Sequence, residues 1–158
     1  TWASDNPMKR HDACLELRSE LLQALVMAID NPRVSIDQTL SSPYTITTLE
    51  RAARLWPDDE LCFVVGSDLA TQIPHWKQSE LWLKRCRLGV VPRKGWPLEP
   101  EHLDRLRHLG AQITILPLQI PETASSSIRK TSAADQIPKP LWPLVLEHNL
   151  YGLQDAPF

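Results

Sequence analysis

Three polar clusters and one tryptophan stand out by residue type and spacing. Gly66-Ser67-Asp68 directly follows an apolar run. Glycine there allows close approach to the backbone, and a carboxylate just past a strand can accept from ribose hydroxyls. Pro92-Arg93 closes the next apolar run with a cation. Ser125-Ser126-Ser127 with Arg129 offers hydroxyls, the free N–H groups of a helix start and a guanidinium, a set that can converge on phosphate. Trp76 lies among polar neighbours in Ile73-Pro74-His75-Trp76-Lys77, and an indole at the edge of a crevice could stack on a cationic pyridinium, for about 0.5–2 kcal/mol. Each group has a plainer reading: a capped turn, a surface arginine, a serine loop, a core tryptophan. Together, at successive strand ends, they point to a phosphate-bearing ligand.

The elements that must carry these groups follow from periodicity. Residues 12–30 read as a helix, with Cys14, Leu17, Leu21, Leu25 and Ala28 recurring at three and four residues. Residues 33–37 are a short strand candidate, and a second helix runs over 45–56 until Pro57 stops it. The unbroken apolar run 61–65 reads as a strand buried on both faces of a parallel sheet. A helix over 79–85 leads to a second such strand at 88–91. Residues 100–109 form a helix with Gly110 as its left-handed stop, and 113–116 are the last strand candidate. A short helix opens at 125–130, and 140–149 form a final helix with proline in its first turn. The alternation is that of βα units, so the expected class is α/β, with a parallel sheet and helices on both faces. In such a sheet ligands bind beyond the carboxyl ends of the strands, where the clusters fall. A single domain over 1–158 is expected.

Composition narrows the partners. The 158 residues carry a net charge of −2, with 42% hydrophobic and 23% charged residues, which suits a globular chain and argues against nucleic-acid binding. No run of about eighteen apolar residues suggests a membrane span. The first residues, Thr1-Trp2-Ala3-Ser4-Asp5, lack the charged and apolar regions of a signal peptide, so a cytoplasmic location is expected. Cys14, Cys62 and Cys86 form no metal-ligand or disulfide pattern and read as buried free thiols. Neither a metal site nor the nucleophile motif of a hydrolase is present. Homo-oligomerisation is left open.

Seven segments carry a more specific likeness: Asp5-Asn6-Pro7-Met8-Lys9, Pro43-Tyr44-Thr45-Ile46-Thr47-Thr48-Leu49, Phe63-Val64-Val65-Gly66-Ser67-Asp68, Pro74-His75-Trp76, Val90-Val91-Pro92-Arg93-Lys94-Gly95, Ala124-Ser125-Ser126-Ser127-Ile128-Arg129 and His148 to Tyr151. In order and spacing they resemble the bacterial nicotinate-nucleotide adenylyltransferases. They correspond there to the loop after the second strand, S-Y-T-x-x-T-L, I-I-G-A-D, P-x-W, V-V-x-R-P-G, S-S-T-x-I-R and x-N-x-L-Y. The resemblance spans essentially the whole chain. Pro43 stands for a serine of the signature, Ala124 for the first serine of the late motif and Ser126 for its threonine.

The resemblance implies a Rossmann-like nucleotidyltransferase fold, truncated by its first βα unit. The family's glycine-rich first strand and H-x-G-H motif, whose histidines hold the ATP phosphates, have no counterpart in these 158 residues. No catalytic residue is therefore carried over, and the chain alone is expected to turn over poorly or not at all. The implied reaction is adenylyl transfer from ATP, with Mg2+, to nicotinate mononucleotide, giving deamido-NAD and pyrophosphate. By the same resemblance Trp76 stacks on the pyridine ring, and Tyr44 and Thr45 serve the nicotinate carboxylate. Gly66 and Asp68 face the nucleotide ribose. Ser125, Ser126 and Arg129 hold the phosphates, and Arg93 and Lys9 join the nucleotide-binding set. Two alternatives stay open: a non-catalytic nucleotide-binding relative, and a related transferase with a phosphopantetheine or choline-phosphate acceptor.

Overall fold

Three parallel strands form the frame that carries the strand-end residues. In the computed structural model the described residues are 1–7, 11, 13–118, 120 and 134–153. They divide into two units, Thr1–Pro43 with Thr123–Phe158, and Tyr44–Glu122.

The second unit holds the sheet. Strands β1 (Cys62–Gly66), β2 (Arg87–Val91) and β3 (Gln112–Ile115) lie side by side in that order, all parallel. Register pairs Cys62 with Arg87 and Gly66 with Val91, so β1 and β2 end level. Helix α2 (Thr45–Leu55) precedes β1, α3 (Ser79–Trp82) precedes β2, and α4 (Pro100–His108) precedes β3. The α/β class and parallel sheet expected from the apolar runs are the ones observed.

One face of that sheet makes the core. Val65, Leu88 and Val90 alternate onto it, against Ile46 and Leu49 of α2, Trp82 and Leu83, and Leu106 of α4. Trp82, Leu83, Leu88, Val90, Leu106 and Ile73 are fully buried, each contributing about 1.5–3 kcal/mol of hydrophobic transfer free energy. Phe63 meets the Trp82 ring edge-on at 5.7 Å. Gly110, at φ 97°, ends α4 in the left-handed conformation expected of it. Its N–H donates to Arg107 O and that of Ala111 to Leu106 O, so orphan carbonyls of the last turn are satisfied.

β1 departs from its sequence pattern. Cys62 and Val64 are exposed, Val64 at 54%, whereas β2 keeps Leu88 to Val91 buried. The cause is position: β2 is flanked on both sides, while β1 is an edge strand among the described residues. Unbroken hydrophobicity therefore marks burial on both faces in β2 but not in β1.

The first unit is helical. α1 (Leu15–Ile29) starts at Cys14, whose Sγ accepts from Leu17 N–H, and stops at Asp30 in a left-handed conformation. Its apolar stripe contains no fully buried residue, and Met27 and Ile29 are exposed. Arg18 ties α1 to the preceding loop through Asp5 and the Ser4 carbonyl (2.7 Å). The strand expected at 33–37 is absent. That stretch instead exchanges bonds with the first residue, from the Thr1 amine to Ser35 O and from Asp37 N–H to Thr1 O. Helix α5 (Trp142–Glu147), which follows a 3-10 turn at Lys139–Leu141, buries Trp142 and Val145 with Ile137 in a small separate core.

Candidate functional site

The level ends of β1 and β2 put Gly66-Ser67-Asp68 beside Pro92-Arg93. After Gly66 the chain enters a 3-10 turn over Ser67–Leu69, which curls the Asp68 side chain back beneath the strand end. A Cβ on Gly66 would lie 2.5 Å from Asp68 Oδ1, so glycine here makes room for that carboxylate. The backbone of Gly66, at φ −74° and ψ 156°, is open to any residue; space, not conformation, requires the glycine.

Asp68 meets Arg93. The guanidinium Nη1 donates to Asp68 Oδ2 at 2.9 Å, with the two side chains only 17% and 18% exposed. Charge-assisted bonds of this kind strengthen as water is excluded. Ser67 completes the cluster from below. Its buried hydroxyl accepts the Arg93 N–H at 2.9 Å and donates to Trp96 O at 2.7 Å. The turn after β2 is closed by Trp96 N–H on Arg93 O, and residue 120 flanks it through Ile120 N–H to Pro92 O and Lys94 N–H to Ile120 O. The resulting strand-end group has one carboxylate and one guanidinium in fixed relation, a fit to sugar hydroxyls and phosphate oxygens.

Tyr44, Thr45 and Trp76 form a second group. Tyr44 is the extended cap of α2, and its carbonyl accepts from Thr47 and Thr48 N–H. The Tyr44 side chain makes no capping hydrogen bond, and first-turn N–H groups such as that of Thr45 have no acceptor within the helix. Trp76 follows the 3-10 turn Ile73–His75. Its ring is half-buried against Trp82, 6.2 Å away and tilted by 34°, so core packing and partial exposure coexist where an exposed ring was expected. Lys77 links the two segments, with Nζ 4.3 Å from the centre of the Tyr44 ring.

The structure thus brings Gly66, Asp68 and Arg93 together at the strand ends, and Tyr44 toward the segment bearing Trp76. Lys9, Ser125, Ser126 and Arg129 lie outside the described residues. Three contributors were missed in the sequence. In the sequence Ser67 is only one residue of a turn, Trp96, 51% exposed as a residue, lies outside every cluster and motif, and Lys77 is only a polar neighbour of Trp76. A hydroxyl between glycine and aspartate was the one available signal for Ser67. Two of the three cysteines also differ from expectation: Cys14 and Cys62 are exposed, and only Cys86 is buried. Burial, together with the nearby Cys62, pushes the Cys86 thiol up to about 11.

A cavity of about 250 Å³ lies elsewhere, between α2 and Leu61 at the amino end of β1, with Arg85 and Glu50 3.9 Å apart in its lining. None of the expected site residues lines it, and the crevice rule for parallel sheets places ligands at the opposite end. No group of three or more His, Cys, Asp or Glu side chains suited to a metal ion occurs among the described residues. No helix among them is long and apolar enough to cross a membrane.

Comparison with known proteins bears on family and fold. No protein-family model matches the chain. A probable nicotinate-nucleotide adenylyltransferase of Synechocystis is 30% identical over 95% of this chain and 82% of its own length. One from Thermus thermophilus is 31% identical over 94% of this chain and 80% of its own. Among solved structures, the Plasmodium falciparum nicotinic acid mononucleotide adenylyltransferase complexed with NaAD aligns with a TM-score of 0.66 at 17% identity, covering 90% of this chain and 78% of that one. That last likeness is one of fold.

Proposed function

Given that this chain belongs to the nicotinate-nucleotide adenylyltransferase family, we propose that it transfers the adenylyl group of ATP to nicotinate mononucleotide, giving deamido-NAD and pyrophosphate. A phosphate oxygen of the mononucleotide attacks the α-phosphorus of ATP. A new P–O bond forms there as the bond to the bridging oxygen breaks, and the electron pair leaves on pyrophosphate. Transfer of this kind depends on alignment and on stabilising charge in the transition state, more than on a protein nucleophile.

Residue roles in this reading follow the resemblance, with chemistry and position in support. The Trp76 indole offers a face to the cationic pyridinium. By the resemblance, backbone N–H groups in the first turn of α2, at Tyr44 and Thr45, serve the nicotinate carboxylate, where the positive end of the helix favours an anion. Gly66 lets the nucleotide approach the backbone, Asp68 accepts from ribose hydroxyls, and Arg93 supplies positive charge to phosphate oxygens. Lys9, Ser125, Ser126 and Arg129 complete the nucleotide side by resemblance. Magnesium enters as part of the nucleotide substrate, neutralising its triphosphate. A cytoplasmic location goes with this reading.

The observation that carries the proposal is the Asp68–Arg93 pair fixed at the level ends of two parallel strands. The test is product formation by the protein translated from its whole reading frame. ATP with nicotinate mononucleotide should yield deamido-NAD and one pyrophosphate per turnover, and phosphopantetheine or choline phosphate should not replace the acceptor. Binding of both substrates with no turnover would establish the non-catalytic alternative instead.

A further inference from the structure

We infer that Ser67 is a positioning residue for the nucleotide site, acting through Arg93. The inference rests on the proposed function, in which Arg93 serves the nucleotide. Ser67 is 5% exposed and its hydroxyl is used twice, accepting from Arg93 N–H at 2.9 Å and donating to Trp96 O at 2.7 Å. Both ends of the turn that carries Arg93 are therefore fastened to the end of β1. The guanidinium is fastened separately, to Asp68 on the residue after Ser67. Backbone and side chain of Arg93 are thus referenced to the same two-residue stretch, which leaves little freedom for the cation to drift from the position where phosphate charge must be met.

Glu, Asp or Lys at position 67 would bring a charge into a buried place, and a longer neutral side chain would displace Trp96. Alanine fits the volume but supplies neither bond. Without the hydroxyl, Arg93 N–H and Trp96 O lose a partner at a part-buried place, and the turn loosens while β2 stays paired to both neighbours.

The experiment compares Ser67→Ala and Ser67→Cys with the parent, using the protein from its whole reading frame. Cysteine keeps the volume with a far weaker hydrogen bond, so the test survives if the alanine variant misfolds. Amide hydrogen exchange should be at least about tenfold faster at Arg93 in both variants, with Leu88 and Val90 unchanged. Affinity for ATP, measured by calorimetry, should fall about tenfold while that for nicotinate mononucleotide holds. Unchanged exchange at Arg93, unchanged ATP affinity, or an equal loss for both substrates overturns the inference. If the parent protein binds neither substrate, the proposed function fails on its own, and exchange at Arg93 still decides whether Ser67 holds the turn.

Discussion

The two halves of the candidate site are built on different physics. At the strand ends, Ser67, Asp68 and Arg93 are tied by directed bonds of 2.9 Å, with little exposure. Around Tyr44 and Trp76 the contacts are ring against ring and a lysine over a ring, at 6.2 and 4.3 Å, with surfaces half open to solvent. The first arrangement suits a ligand whose charge must be met at a set position. The second suits a flat ring that is recognised by its face and tolerates small displacements. Angular precision is thus concentrated where phosphate chemistry would occur, and breadth where an aromatic ring would rest.

That contrast can be broken most directly at Arg93. Arg93→Ala should lower ATP-dependent turnover about a hundredfold or more, since it removes a cation and leaves the Asp68 carboxylate part-buried beside it. Arg93→Lys should recover only part of the loss, because an ammonium cannot reproduce the planar guanidinium fork. Steady-state kinetics with both substrates decides. A loss under threefold would mean that the strand-end pair is structural and the comparison is mistaken.

Gly66→Ala probes the same half without touching a charge. The backbone there accepts alanine, but its methyl would sit 2.5 Å from Asp68 Oδ1 and push the carboxylate out. ATP affinity should fall about tenfold with the melting temperature nearly unchanged. On the ring side, Trp76→Leu keeps an apolar contact to Trp82 and loses the π face. Nicotinate mononucleotide should bind about three- to tenfold more weakly, in line with a cation–π contribution of about 0.5–2 kcal/mol, and ATP should bind as before. If Trp76→Leu hurts ATP as much as the mononucleotide, the halves are not separable.

Much of the frame was legible because apolar runs and their breakers are local. Leu88 to Val91 and residues 113–116 announced themselves, as did Gly110 at the end of α4. Long-range facts were not. Nothing in Cys62 to Val65 says that β1 is an edge strand among the described residues, so exposure of Val64 is not legible there. The run at 33–37 has strand-like residues, but among the described residues its backbone bonds go to Thr1 and to nearby positions such as Asn31, not to a strand. Within the site, residue types gave Gly66, Asp68 and Arg93. The Ser67 bonds join positions 26 and 29 residues apart, and no periodicity carries that information.

The smallest effect separates damage to the fold from damage to the site. Cys86 precedes β2 and lies in the core, while Cys62 on the neighbouring strand is exposed. Burial raises the Cys86 thiol from 9.0 to about 11, with the nearby Cys62 adding to the rise and a hydrogen bond from the Phe63 backbone opposing it. The folded chain therefore keeps this proton at a pH where the unfolded chain has begun to lose it. The stability it contributes is complete below pH 9 and is lost as pH climbs toward about 11. Cys86→Ala should be less stable than the parent at pH 8, through the lost packing, and the gap should narrow by pH 10.5 in denaturant midpoints. In the native parent at pH 8, a thiol reagent should modify Cys14 and Cys62 and spare Cys86 until denaturant is added. Rapid modification of all three would show that this core opens readily, and losses at Arg93, Gly66 and Trp76 would then have to be corrected for unfolding before the two halves of the site were compared.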